Sequence, residues 1–144
     1  MRHLARRFAG SLSQREPGLA DTAWAESWLI EGELQLWRRL AAPDRRHSIE
    51  VARRFEKLGS VEWTRDEMAG ALLHDVGKLE DDLGTFSRVV ATVIGPRTAR
   101  FRRYHDHERI GAEMLTDAGS SVVTVDLVMG NGRAASALAK ADDI

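Results

Sequence analysis

The chain of 144 residues has no cysteine. That absence excludes disulfides, thiolate metal sites and a cysteine nucleophile. Long apolar runs are missing too, so no segment reads as a bilayer span, and no stretch has the apolar centre of a secretion signal. Charge of one sign is not in excess: 21 Lys and Arg against 22 Asp and Glu give a net charge of -1, which removes the electrostatic case for a dedicated DNA or RNA binder. Aromatics are only 6% of the chain and prolines number three, whereas 43% hydrophobic and 30% charged residues make an ordinary globular composition. A chain of this length reads as one domain, most simply cytoplasmic, with no membrane and no nucleic acid duplex among its expected partners.

What is present is punctuated as helices. Residues 1–13 are basic and place Leu4, Phe8 and Leu12 four apart, predicting a short amphipathic helix; an Arg-rich targeting peptide is the competing reading. Pro17 and Gly18 end that segment, and Asp21 is expected to cap a helix whose Trp24, Trp28 and Leu29 share a face. Leu34, Trp37 and Leu40 mark the packed side of another, and these tryptophans read as packing aromatics. Pro43 and Asp44 open a helix that runs to Gly59. Thr64 and Glu67 form a capping box for a helix expected to end at Gly77. Further helices are expected over 85–94, 97–104 and 107–118, the last closed by Gly119. Residues 89–94 and 120–128 are valine-rich and favour strand locally, yet neither alternates nor has a partner strand, so both read as helix. With 133–142 also helical, the fold class is all-α. Residues 1–58 carry a net +3 and the remainder a net -4, a mild asymmetry that identifies no partner.

The chemistry emerges when histidines and acids are placed on those helices. His47 falls on one stripe with Val51, Phe55 and Leu58. Met68, Ala71, Leu72, Asp75 and Val76 share a face, with His74 one step, about 100°, round the helix. His107 aligns with Gly111, Met114 and Ala118, and Asp142 with Ala135 and Leu138. Any one of these histidines alone is more often a hydrogen-bonded histidine, and any one Asp alone a helix cap. Four helices each sending an imidazole or a carboxylate into apolar surroundings have one common explanation, a divalent metal, because each such group is costly to bury alone.

The string Ala71-Leu72-Leu73-His74-Asp75-Val76-Gly77-Lys78, with Arg46-His47-Ser48 before it and Ala141-Asp142-Asp143 after it, resembles the HD-domain superfamily of metal-dependent phosphohydrolases. The resemblance covers about residues 43–142, leaves 1–42 as an N-terminal helical extension to a core of 43–144, and implies an all-helical HD-domain bundle. It implies metal ligation by His47, His74, Asp75 and Asp142. The stretch from His107 to Glu113 is similar to a third motif of members that hold two metals, but those members supply another His further on, and none follows His107 here. Asn131 offers an oxygen at most, so the expected cofactor is one divalent ion of Mn, Fe, Ni, Co, Zn or Mg.

Four protein ligands leave about two of six positions for water and a phosphate oxygen. On this resemblance Asp75 is both ligand and proton acceptor. Lys78 is either a phosphate-neutralising cation or an ordinary lysine at a helix C-terminus. Arg46, His107 and Arg103, the last in a cluster with Arg97, Arg100 and Arg102, are the expected substrate contacts. His105 reads as a surface residue, and Glu80, Asp81 and Asp82 as a solvated acidic loop. The implied activity is phosphohydrolysis of a small phosphorylated molecule, a nucleotide first. The alternative is a non-catalytic, metal-bound sensing or interaction module, favoured by the missing later His and by the closeness of Asp142 to the last residue given. A purely structural bundle would hold no metal at all.

Overall fold

A computed structural model describes residues 14–59, 62–80 and 96–143, with backbone alone at 80 and 96–106. The helices expected over 1–13 and 85–94 and the acidic residues 81 and 82 lie outside the described residues. Within them the order is α1 (Leu19–Glu26), α2 (Glu31–Arg39), α3 (Ala42–Leu58), α4 (Arg65–Leu73), a 3-10 turn (Val76–Glu80), α5 (Pro96–Asp117), α6 (Val122–Val128) and α7 (Ala135–Asp143). No strand occurs among the described residues, so the fold is all-α.

Local chemistry sets most boundaries. Pro43 lies in the first turn of α3, where its missing N–H costs nothing. Thr64 Oγ1 accepts the Glu67 N–H at 3.2 Å while Glu67 Oε1 accepts the Thr64 N–H at 3.0 Å, completing the expected capping box of α4. Gly119, with φ of 91°, turns the chain out of α5; Gly119 N–H reaches Thr116 O and Ser120 N–H reaches Leu115 O. The valine-rich stretch is helical because α6 buries Thr124, Leu127 and Val128 on one side and leaves Val122 and Val123 outside.

Several expectations change. Asp21 lies inside α1, whose N-cap is Gly18, and its carboxylate instead accepts from Arg53 Nη2 at 2.8 Å. The break expected near Tyr104 is absent: neither Gly nor Pro interrupts the chain from 97 to 110, and α5 runs straight through it. Most consequentially, α4 stops at Leu73 and not at Gly77. His74 is its C-cap, and the chain then tightens into the 3-10 turn, with Lys78 N–H on Asp75 O at 3.0 Å.

One core unites these helices. Met68 to Leu73 are all buried, which makes α4 the central element, packed between α3 and α6 and touched by α2. Trp37, Phe55, Met68, Leu72, Leu73, Val51, Val76 and Leu115 are its largest fully buried apolar side chains, each contributing roughly 1.5–3 kcal/mol. Of the tryptophans read as packing aromatics, Trp37 is buried and donates to Ser48 Oγ at 2.9 Å, and Trp24 and Trp28 lie partly buried against the core, edge to face at 6.3 Å. α1 ends before Trp28 and Leu29, however, so these two and Trp24 share no helix face. Trp63 stacks on Phe55 with centroids 4.7 Å apart. Trp37 and Ala25 place the N-terminal helices in the same apolar cluster as α3 and α4. α3 also carries α7, and α5 lies along the 3-10 turn and α6. That last approach is close enough that a Cβ on Gly77 would overlap the main-chain carbonyl of His107.

Candidate metal centre

The packing of α7 on α3 and the turn at the end of α4 bring four of the expected residues to one place. His47 Nε2–H donates to Asp142 Oδ1 at 3.0 Å across 95 residues of sequence. His74 Nε2 lies 3.4 Å from Asp142 Oδ1 and 3.4 Å from Asp75 Oδ2, and the two imidazole centroids are 5.9 Å apart. Because α4 has ended, His74 and Asp75 do not share the face of a helix as the sequence pattern predicts. Successive turn residues bring them together instead.

The backbone contact of His74 sets which nitrogen faces the cluster. Nδ1–H donates to the carbonyl of Ala71 at 2.8 Å, which turns Nε2 towards the two carboxylates. That Nε2 is buried, and among the described residues the carboxylate oxygens 3.4 Å away give it no hydrogen bond of good geometry. A buried polar atom left in this way is costly unless something absent from the protein chain completes it.

Charge in the cluster is tuned by its own members. Hydrogen bonding to His47 and the neighbouring His74 imidazole hold the Asp142 carboxyl far below the ordinary carboxylate range. Burial pushes the Asp75 carboxyl up, but His74 and Lys78 outweigh it and leave the group below its usual value. Burial pulls the His74 imidazole down, while Asp75 and Asp142 together raise it above the ordinary histidine value. Burial likewise lowers Lys78, and Asp75 and Asp44 more than reverse this, so the ammonium stays charged at neutral pH. Its Nζ stands 3.3 Å from Asp75 Oδ2.

These donors fit a divalent cation. Ligand atoms about 2.0–2.2 Å from one ion stand roughly 3.0–4.4 Å from each other. One ligand atom each from His47, His74 and Asp75 lie within 4.8 Å of one another, close to that interval; Asp142 stands beside this group of three, 3.0 Å from His47 and 3.4 Å from His74. A set of imidazoles and carboxylates without thiolate suits Mn, Fe, Co, Ni or Zn.

A cleft of about 310 Å³ opens beside the cluster. Its polar lining is His74, Asp75, Lys78, His107, Glu108 and Asp142; the rest is Leu127, Val128, Gly130, Ala135, Leu138 and Ala139. His107 therefore meets the dyad, from the middle of α5 and not from a first turn. Arg46 is half-buried on α3 and does not line the cleft. Arg103 lies one turn before His107 on α5, and its side chain, like those of Arg97, Arg100, Arg102 and His105, is outside the described residues. Sequence reasoning overlooked Glu108, whose only signal is its place next to His107, and Arg54, two turns beyond His47 on the same helix.

The family profile of the HD domain matches residues 45–136. The chain belongs to the HD domain family. No curated protein and no solved structure matches it. HD domains are generally metal-dependent phosphohydrolases built on an all-α fold, and the His/His/Asp cluster of this HD domain fits a metal site. The matched stretch includes His47, His74, Asp75, Lys78 and His107 and stops before Asp142, which the α3–α7 packing adds. Among the described residues no helix is long and apolar enough to cross a membrane.

Proposed function

We propose that this HD domain is a divalent-metal-dependent phosphohydrolase acting on a small phosphorylated molecule of mononucleotide size. The observation that carries the reading is the cluster of His47, His74 and Asp75, whose ligand atoms lie within 4.8 Å of one another, with the buried Nε2 of His74 3.4 Å from oxygens of both Asp75 and Asp142. His47, His74, Asp75 and Asp142 hold one ion. When bound, such an ion polarises a phosphoryl group and makes a water nucleophile available near neutral pH.

The chain's own groups do the rest. Asp75, kept ionised by His74 and Lys78, accepts a proton from the attacking water. Lys78, half-exposed at the cleft, balances the charge of the phosphate. His107 faces the same space and donates a hydrogen bond to a phosphate oxygen, and Arg103 lies one turn earlier on the same helix. The apolar lining of Leu127, Val128 and Leu138 receives the base, or another flat apolar portion of the substrate. A cleft of about 310 Å³ lies near the lower end of ordinary ligand sites, ~300–1,000 Å³, which suits one mononucleotide.

The test is to strip the protein with chelator, reload it with Mn, Fe, Ni, Co, Zn or Mg, and measure phosphate release from a panel of phosphorylated metabolites. One tightly held equivalent and metal-dependent release are expected. His107→Ala should keep the metal and lose turnover by about tenfold or more, the loss expected of one charge-assisted hydrogen bond. Metal binding with no turnover on any substrate would move the chain to a non-catalytic, metal-bound module, and a protein that binds no metal would end both readings.

A further inference from the structure

Arg54 follows His47 by seven residues on α3, two turns further along, so the two side chains leave the same face of that helix. His47 reaches the carboxylate of Asp142 at 3.0 Å. Arg54 Nε donates to the main-chain carbonyl of Ala141, the residue before it, at 2.8 Å. One helix thus grips the same point of α7 twice, once through the side chain and once through the peptide. α7 needs the grip, because its only buried residues within the helix are Leu138 and Ala141, little apolar surface with which to fix its last turn.

We propose that Arg54 is a positioning residue of the metal centre: it fixes the peptide preceding Asp142 so that the carboxylate already stands among the imidazoles before an ion arrives. The proposal rests on the metal reading above. The choice of acceptor is what makes the device useful. A guanidinium placed on the Asp142 carboxylate would compete with the cation for its oxygens, whereas a bond to the neighbouring carbonyl sets their position without engaging them. Partners that orient a metal ligand without touching the ion are typically worth about 10–100-fold in affinity.

Mn2+ titration of the chelator-stripped full chain by calorimetry, paired with a melting curve of each metal-free variant, tests this. Arg54→Met should bind Mn2+ about tenfold more weakly than wild type. Arg54→Lys, which can still donate to the carbonyl, should recover part of the loss, and it carries the comparison if the methionine variant does not fold. Thr124→Val is the control: it removes another side-chain bond to a main-chain carbonyl, Thr124 Oγ1 to Asp66 at 2.8 Å, beside the opposite end of α4. It should lower Tm and leave Mn2+ affinity unchanged. Wild-type affinity in Arg54→Met, or a loss in Thr124→Val as large as in Arg54→Met, overturns the positioning role alone. A wild-type protein that binds no Mn2+ overturns the metal reading and this role together.

Discussion

At the N-terminal end of α4, each buried carboxylate is met by a guanidinium and by donors from its own segment. Glu33, fully buried, accepts from Arg65 Nη1 at 2.8 Å, Ser120 Oγ at 2.7 Å and Ile30 N–H at 3.1 Å. Glu67 accepts two bonds from Arg133, both at 2.8 Å, besides its capping contact with Thr64. At the C-terminal end Asp75 and Asp142 are approached by two imidazoles and Lys78, and among the described residues one buried imidazole nitrogen has no hydrogen bond of good geometry. The first arrangement is complete without anything added. The second crowds two imidazoles and two carboxylates together around a buried nitrogen, the condition under which a cation stabilises the protein and does not merely attach to it.

The widest separation of the two ends should come from Asp75→Ala. It removes a donor from the open end and no support from the closed one, so turnover should fall by about 10²–10⁴-fold while the helical circular dichroism persists. Wild-type turnover in that variant would contradict the assigned chemistry. At the closed end, Arg65→Met leaves Glu33 buried without its guanidinium. The cost should be about 3 kcal/mol, the low end for a broken buried pair because the outer edge of Arg65 reaches solvent, and Tm should fall on the order of 10 °C.

Metal removal sharpens the contrast at a smaller magnitude. At an ion concentration 100 times its dissociation constant, native-state binding adds ~2.7 kcal/mol, so chelation should lower Tm by several degrees. The same decrement should appear in Arg65→Met, since independent sites add. A decrement confined to one of the two proteins would show that the ends of α4 are coupled.

The smallest effect is in pH. The bonds from Arg133 hold the Glu67 carboxyl below its ordinary value, so its stabilisation is present above the unfolded carboxylate range and is lost as pH falls towards the depressed folded value. The Tm advantage of wild type over Glu67→Gln, a few degrees at neutral pH, should therefore narrow below about pH 4. In chelator the sign reverses for His74. Its folded value is raised, so its contribution is full below the ordinary histidine value of ~6.5 and is lost as pH climbs through the raised one. Melting curves of wild type and His74→Gln from pH 5 to 9 should converge on the alkaline side.

Features decided by neighbouring residues were legible in the sequence. Thr64 with Glu67, Pro43 in a first turn and Gly119 as a stop depend on contacts a few residues apart, and all three occur where expected. The apolar stripe of His47 was legible for the same reason. The end of α4 was not, because nothing in Leu73-His74-Asp75-Val76 breaks a helix; the chain leaves α-geometry there as the 3-10 turn packs against α5. Continuity of α5 was obscured by its polar middle, which lacks a clean stripe to follow across the expected break. Arg54 on Ala141, Arg133 on Glu67 and Ser120 on Glu33 pair residues 66 to 87 positions apart, and pairings of that span leave no periodicity to read.

Gly77 is where the centre tolerates least change. The 3-10 turn carrying the dyad and the helix carrying His107 meet there backbone to backbone, with no side chain between them to deform. Two surfaces in such contact have no slack, so the gap between Asp75 and His107 is gauged by the thickness of the main chain itself. Any side chain at this position would act as a shim about 1.5 Å thick, and a displacement near 1 Å is enough to cost an active site about 10²-fold in rate. The residue with no chemistry of its own thereby sets the tightest dimension of the site.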